Sequence, residues 1–165
     1  MHKKPMIPTK TSAMVESFLE QNETVISEYG HSCVQITGEN PQNTYTYSVG
    51  LGDVGWPELI VMSLSPQTAK MIINSVATYL KAKELRPVAG MDISEAVNVL
   101  VRLREVPHHA VLKHLKVALA RANQKGLNDT AVTALQVVWP DREGRFPGDE
   151  GYDDESFPQK ILEDE

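Results

Sequence analysis

The residues best placed for chemistry are an acid and a base that directly follow an apolar segment. Asp141 and Arg142 come after Trp139 and Pro140. Because a proline ends the backbone hydrogen bonding of a strand, the pair leaves a predicted sheet at its end, where open α/β sheets collect ligands. Asp141 could accept a hydrogen bond from a ribose or an amine, and Arg142 or Arg145 could bind a phosphate or a carboxylate. The alternative is a local turn, in which the Asp141 carboxylate accepts hydrogen bonds from nearby backbone N–H groups and a glycine allows the reversal.

A second group of candidate ligand-binding residues lies earlier in the chain. Tyr47 is followed by Gly50 and Gly52, and glycines let the backbone approach a ligand or another strand closely. The spacing lacks the third glycine and the Lys-Ser/Thr of phosphate-binding loops. Trp56 and Glu58 place an aromatic ring and a carboxylate at the start of the next apolar segment. The alternative for this last pair is an ordinary surface loop that contains an acid.

Metal binding and nucleophilic catalysis have weaker support. His108, His109 and His114 lack the i, i+4 spacing of a zinc-binding helix. Cys33 has no cysteine partner and lies in an alternating segment, which favours a small buried residue on a strand over a nucleophile. No serine lies in a Gly-x-Ser-x-Gly pattern. The sequence therefore predicts neither a metal site nor a cofactor.

Charge is distributed unevenly along the 165 residues, whose net charge is −6. Residues 141–165 hold ten acids and three bases, whereas residues 1–140 hold twelve acids and thirteen bases. Residues 101–125 are locally basic, with six Lys or Arg against one Glu. The acidic end could lie over this basic segment, in its own chain or a neighbour's, or could simply be a solubilising end. A near-neutral body with an acidic end argues against a dedicated nucleic-acid binder.

Length and composition predict one domain and no membrane span. A chain with 41% hydrophobic residues can bury one core, and it contains no run of eighteen apolar residues. The first residues are basic, but no apolar segment of a secretory signal follows them. The single cysteine fits a reducing cytoplasm. We expect a loose arm over residues 1–10, a domain over residues 11–150 and an acidic tail over residues 151–165.

Hydrophobic periodicity predicts alternating helices and strands. The helices are expected from residue 11 or 12 to 28, over 66–84 after a capping Ser65, and over 107–126. The strands are expected over 31–37 and 44–51 as a hairpin, then over 58–64, 97–106 and 130–139, with a turn or short helix over 92–96. This order predicts a single α+β domain, a mixed sheet of about five strands flanked by helices.

Three segments together carry a resemblance to a known family. Tyr47–Leu51, Trp56–Leu59 and Gln136–Pro147 resemble the hallmarks of an uncharacterised bacterial and phage family, domain-of-unknown-function family 4262. The signature positions that the resemblance implies are Tyr47, Gly50, Leu51, Pro57, Glu58, Leu59, Gln136, Trp139, Pro140, Asp141, Gly144, Phe146 and Pro147. After Pro147, where relatives tend to carry another tryptophan, this chain has Gly148–Tyr152. The resemblance implies a fold and a candidate region, and no reaction.

Three hypotheses for function follow from these residues. The first is a soluble, non-catalytic homo-oligomer that binds a small polar or nucleotide-like ligand between residues 47–56 and 139–145. If the gene is from a phage, the ligand could be a host signalling nucleotide that the protein sequesters. The second is a metal-independent hydrolase with Asp141 or Glu58 as its general base. The third is a protein-interaction module that uses the basic segment and the acidic tail.

Overall fold

The computed structural model describes residues 10–163, with the side chains of residues 10–15 and 18 left out. The predicted N-terminal arm falls outside this range, apart from Lys10, with which the first helix begins. The helices and strands are α1 (Lys10–Tyr29), β1 (Ser32–Ile36), β2 (Tyr45–Val49), β3 (Glu58–Met62), α2 (Pro66–Ala82), β4 (Asp92–Ile93), β5 (Val101–Glu105), α3 (His108–His114), α4 (Lys116–Gln124) and β6 (Ala134–Val138).

The strands form one mixed sheet in the order β1-β2-β3-β6-β5-β4. β3 and β6 are parallel, and the other neighbouring pairs are antiparallel, which confirms the predicted hairpin of β1 and β2. The predicted class, one α+β domain with helices against a mixed sheet, is confirmed. The sheet has six strands rather than about five, because Asp92 and Ile93 pair with β5 where the pattern predicts a turn or short helix. The Arg102 guanidinium donates to both carboxylate oxygens of Asp92, at 2.7 and 3.1 Å, and so links this short edge strand to β5.

Helices cover both faces of the sheet. All five residues of β3 and all five of β6 are buried, as expected of central strands with nearly continuous apolar sequences. Leu59 and Val61 pack with the buried side chains of α2 on one face. Ile60 and Met62 point to the other face and pack with buried residues of α1, α3 and α4. Successive side chains of β3 therefore belong in turn to two separate core clusters, one on each face of the sheet.

The helix predicted over residues 107–126 is two helices, α3 and α4. The helical conformation is interrupted at the buried Leu115, whose φ and ψ are −100° and 52°. Two tyrosines of β2 bind the backbone at this break. The Tyr45 hydroxyl donates to the His114 carbonyl at 3.0 Å, and the Tyr47 hydroxyl accepts from the Val117 N–H at 2.9 Å. These contacts replace helical hydrogen bonds that the break removes.

The C-terminal segment packs against the sheet and does not form a separate tail over its described residues. The Gln159 amide accepts from the N–H of Trp139 at 3.1 Å and donates to its carbonyl at 2.7 Å. The buried Gln136 amide donates to the Lys160 carbonyl at 2.8 Å and accepts from the Leu162 N–H at 2.9 Å. The Leu162 side chain is itself part of the core. Residues 157–163 are thus an integral part of the domain.

The acidic end contacts the basic segment at β5, where the Arg102 guanidinium also lies 4.4 Å from the centre of the Phe146 ring. Glu163 pairs with Arg104 at 3.1 Å, and both side chains are exposed. Arg121, the buried arginine of the basic segment, pairs instead with acids from elsewhere in the fold, Asp53 and Glu23. The acidic end therefore follows the sheet and does not lie over residues 101–125 as a whole.

Candidate functional site

The predicted site residues fall into two groups at opposite ends of the central strands. Glu58 lies opposite Ala134, at the start of both parallel strands. Trp139 follows the end of β6, and its indole N–H donates to the carbonyl of Met62, at the end of β3, at 3.1 Å. At about 3.3 Å per residue, the length of β3 separates the two groups by about 13 Å. The single pocket expected between residues 47–56 and 139–145 is therefore not formed.

Glu58 organises the loop that follows β2. One carboxylate oxygen accepts from the Ser48 hydroxyl at 2.7 Å and the Leu51 N–H at 3.2 Å. The other accepts from the N–H groups of Gly50 at 3.2 Å and Gly52 at 3.1 Å. Gly50 has a φ of 112°, a conformation that favours glycine. A carboxylate offers about four acceptor positions, and here all of them are filled.

The environment of Glu58 is that of a structural carboxylate. The side chain is buried, against the expectation of a surface loop. Burial raises the pKa of Glu58 to about 7, although the hydrogen bonds from Ser48 and the loop act in the opposite direction. A pKa in this range suits a general base, but the four donors leave no acceptor position for a substrate or a water. Glu58 therefore shapes the loop, and its geometry does not favour hydrolysis.

Asp141 holds the turn after β6 in the same way. One carboxylate oxygen accepts from the N–H groups of Glu143 at 2.9 Å and Arg145 at 2.8 Å. The other accepts from the Asp153 N–H at 2.9 Å and from the Arg145 side chain at 3.4 Å. Burial alone would raise the pKa of Asp141, but these donors outweigh it and hold the pKa below its ordinary value. This is the local turn that was the alternative to a ligand site.

Among the other predicted residues, few are accessible to a ligand. Tyr47 and Trp139 are buried. Trp56 is half-buried and lines a cavity of about 60 Å³, which has room for a few waters and not for a nucleotide. Arg142 and Arg145 border a depression of about 280 Å³. Its walls also include the acids Asp141, Glu143 and Asp153, which compete with any anion for the two arginines.

Arg121 connects three elements that the sequence does not link. Its guanidinium donates to both carboxylate oxygens of Asp53, at 2.9 and 2.8 Å, and to Glu23 at 2.5 Å. The residue is buried, whereas Asp53 lies in the loop organised by Glu58 and Glu23 lies on α1. These contacts tie α4, the loop and α1 together. They span 68 and 98 residues, so no local spacing could indicate them.

A larger cleft lies at the edge strand β1, between α1 and α2. Its volume is about 500 Å³, within the range of about 300–1,000 Å³ that is usual for small-molecule sites. The lining consists of Val25 and Tyr29 from α1, His31, Ser32 and Cys33 from β1 and the residue before it, and Lys70, Asn74 and Thr78 from α2. No residue predicted for ligand binding is among them.

Polar groups at the floor of the cleft are arranged around Asn74. The His31 Nε2 lies 2.8 Å from the Asn74 amide oxygen, and the Cys33 thiol donates to the same oxygen at 3.7 Å. Because an amide oxygen only accepts, His31 carries its proton on Nε2, which leaves Nδ1 as an acceptor. This Nδ1 and the Asn22 amide nitrogen are buried without a hydrogen-bond partner in the described part of the chain. Asn22 in turn accepts a hydrogen bond from Ser32, which lines the cleft.

The cleft is electrostatically suited to an anion. None of the eight lining residues is acidic, and Lys70 is among them. Burial lowers the pKa of His31, and the nearby charge of Lys81 lowers it further, so the imidazole is neutral at neutral pH. Burial raises the pKa of Cys33 to about 11, which keeps it a thiol. The lining therefore presents one cation, Lys70, together with neutral side chains that are mostly polar.

The sequence carried only an indirect signal for this cleft. Lys70, Asn74 and Thr78 repeat at i, i+4 and i+8, so they share one face of α2. A polar stripe of this kind is typical of a solvent-exposed helix face. Only the position of α1 across the edge of β1 turns the stripe into one wall of a cleft.

Fold and site together define a small α+β domain with two carboxylate-organised loops and an acid-free cleft at a sheet edge. The chain belongs to the family described as Domain of unknown function (DUF4262), whose model matches residues 25–153. The family resemblance of the sequence is thereby confirmed. No curated protein and no solved structure matches the chain. Glu58 and Asp141, two of the signature residues, organise the loops at the two ends of the central strands.

Within residues 10–163, no three His, Cys, Asp or Glu side chains are grouped so that they could hold a metal ion. None of the helices in the described part of the chain has both the length and the apolar character needed to cross a bilayer.

Proposed function

We propose that the protein binds a small polar, nucleotide-like ligand in the cleft between α1 and α2 without transforming it. The observation that carries this proposal is a cleft of about 500 Å³ with polar lining from three elements and no acid among its eight lining residues. Concave sites of this volume with a few converging polar groups are the usual form of small-molecule sites. The class of ligand is the one expected from the sequence. The proposed site, however, is the cleft and not a pocket between residues 47–56 and 139–145.

The buried polar atoms beside the cleft support this placement. Unpaired buried groups are rare in folded proteins, since each costs about 1–3 kcal/mol. Here an acceptor, His31 Nδ1, and a donor, the Asn22 amide nitrogen, lie unpaired in the described part of the chain; His31 lines the cleft, and Asn22 binds the lining residue Ser32. A ligand, or an ordered water held under it, that donates to His31 Nδ1 would satisfy that atom, and a second, accepting group would be needed for Asn22.

Binding without catalysis is favoured over hydrolysis by the state of the acidic residues. Glu58 and Asp141 each have their acceptor positions filled by groups of the protein. Neither of them lines the cleft. His31 is neutral and could accept a proton, but it has no carboxylate partner among the lining residues to orient it for that task. These features support a binding role.

A screen of the full chain against a library of small metabolites by ligand-observed NMR tests the proposal. Thr78→Trp is the informative variant, because Thr78 is exposed and an indole at this position would fill the cleft without disturbing the core. We expect Thr78→Trp to abolish the binding of every compound that the unmodified protein binds specifically.

Two control variants separate the cleft from other parts of the surface. Gln67→Trp adds the same bulk to an exposed position of α2 outside the cleft. Arg142→Gln removes an exposed cation from the turn that Asp141 organises. Both controls should bind like the unmodified protein. Binding that survives Thr78→Trp but disappears in Arg142→Gln would overturn the cleft and return the site to the end of β6.

A further inference from the structure

We infer that the ligand of the cleft is a nucleoside di- or triphosphate that lies along β1, with its base against Tyr29 and its phosphates at Lys70. This inference rests on the proposed function and names the class of ligand and its orientation. It follows from the order of chemical groups along α2 and from the position of an exposed aromatic ring at one end.

The direction of α2 relative to β1 fixes the two ends of the cleft. At one end, the Gln35 amide donates to the Pro66 carbonyl at the start of α2, at 3.2 Å. In the middle, Asn74 binds His31. At the other end, the Lys81 ammonium lies 2.7 Å from the position that a Cβ would take at Gly30, directly after α1. α2 therefore runs antiparallel to β1 along the whole cleft.

The polar groups on α2 form an ordered stripe along this direction. Lys70, Asn74, Thr78 and Lys81 follow at intervals of four, four and three residues, which places them on one helix face. At about 1.5 Å per residue, Lys70 and Lys81 are about 16 Å apart along the axis. The stripe thus has a cation at each end and neutral hydrogen-bonding groups between them, over the length of an extended nucleotide. A single compact anion would use only one of the two ends.

Both ends carry a lysine, but only the end near Gly30 also carries an exposed aromatic ring, and this difference sets the orientation. Tyr29 lines the cleft near Gly30, and 71% of it is exposed to solvent, so its ring is open to stacking. Base stacking on an aromatic ring is tolerant of base identity. Lys70, at the opposite end, is an exposed ammonium suited to phosphate as a point charge. Asn74 and Thr78 then lie where the ribose hydroxyls would fall.

Isothermal titration of the full chain with three kinds of probe tests this inference. The probes are the four common nucleoside diphosphates, their nucleosides, and inorganic pyrophosphate. We expect at least one diphosphate to bind, and its nucleoside and pyrophosphate each to bind about tenfold more weakly or worse, because each lacks one of the two end contacts.

Substitutions at the two ends should act on different probes. Lys70→Gln should reduce the affinity of the diphosphate toward that of its nucleoside and leave the nucleoside unchanged. Tyr29→Ala should weaken the diphosphate and the nucleoside but not pyrophosphate. Both positions are exposed, so the variants should fold. Lys116→Gln, at an exposed lysine of α4, is the matched control and should change nothing.

Failure of this inference can be told from failure of the proposed function. If no diphosphate binds, or if Lys70→Gln leaves its affinity unchanged, the nucleotide assignment is wrong. The proposed function still stands in that case if another library compound binds and is lost in Thr78→Trp. If no compound of any class depends on Thr78, both are overturned.

Discussion

The strongest stability prediction concerns Gln159, because it tests whether the C-terminal segment is part of the fold. The residue is buried, and its amide binds both the N–H and the carbonyl of Trp139. Gln159→Ala leaves the N–H and the carbonyl of Trp139 without these hydrogen bonds, and both groups remain buried. An unsatisfied buried group costs about 1–3 kcal/mol, so the free energy of unfolding should fall by about 2–4 kcal/mol.

Urea denaturation followed by tryptophan fluorescence measures this change directly. For a domain of this size, a loss of about 2–4 kcal/mol corresponds to a fall in Tm of about 5–15 °C. Gln67→Ala, at an exposed position of α2, is the matched control and should lie within about 0.5 kcal/mol of the unmodified protein. A chain truncated after residue 156 should be destabilised at least as much as Gln159→Ala. An unchanged Tm after this truncation would refute the packing of the segment against the sheet.

Three other substitutions probe the buried polar groups. Tyr47→Phe leaves the Val117 N–H without its acceptor and should cost about 1–3 kcal/mol in urea denaturation, whereas Tyr29→Phe, at an exposed residue, should cost almost nothing. The pKa of Glu58 rises on folding from its ordinary 4.5 to about 7, so its contribution to stability is full below about pH 4.5 and is lost as the pH rises through about 7. Between about pH 5 and pH 8 the free energy of unfolding of the unmodified protein should fall by about 2–3 kcal/mol more than that of Glu58→Gln. Equal pH profiles of the two proteins would contradict the raised pKa of Glu58. Asp141→Asn should reduce the hydrogen-exchange protection of the amides over residues 143–153, since an amide nitrogen would face N–H donors; a variant that keeps this protection but loses ligand binding would make Asp141 a ligand contact after all.

Local sequence signals predicted the fold where a single element carries its own information. Ser65 and Pro66 predict the start of α2, and in the structure α2 begins at Pro66 with the Ser65 hydroxyl accepting from the Thr68 N–H at 3.4 Å. The first helix is expected to end at about residue 28, and in the structure α1 ends at Tyr29 and is followed by Gly30, whose φ of 91° favours glycine. The nearly continuous apolar run after Pro57 predicts a central strand, and β3 is buried on both faces.

Features that depend on contacts between distant residues could not be predicted in this way. The division of the last helix at Leu115 depends on two tyrosines about 70 residues earlier in the chain. β4 has two residues, too few for any periodicity, and is held by an ion pair with Arg102. The C-terminal segment reads as acidic and polar, yet Gln159 binds a strand end 20 residues away.

The candidate site illustrates the same limit from the side of chemistry. The sequence predicts carboxylates at the ends of strands, and Glu58 and Asp141 lie at such ends in the structure. Whether such a carboxylate meets a ligand or its own backbone depends on how many N–H groups converge on it, and this is set by loop geometry. The cleft was missed because its walls come from three elements whose facing sides are not encoded in any one segment.

Amide chemical-shift mapping tests the central claim, that the ligand site is the cleft between α1 and α2, most directly. The titrations would use ADP and, separately, the library compound that binds most tightly. We predict that the shifted amides cluster over residues 29–33 and 70–78, and that those over residues 141–153 do not move. Shifts confined to residues 50–56 or 141–153, with the cleft unchanged, would contradict the account and place the site at one of the two carboxylate-organised loops.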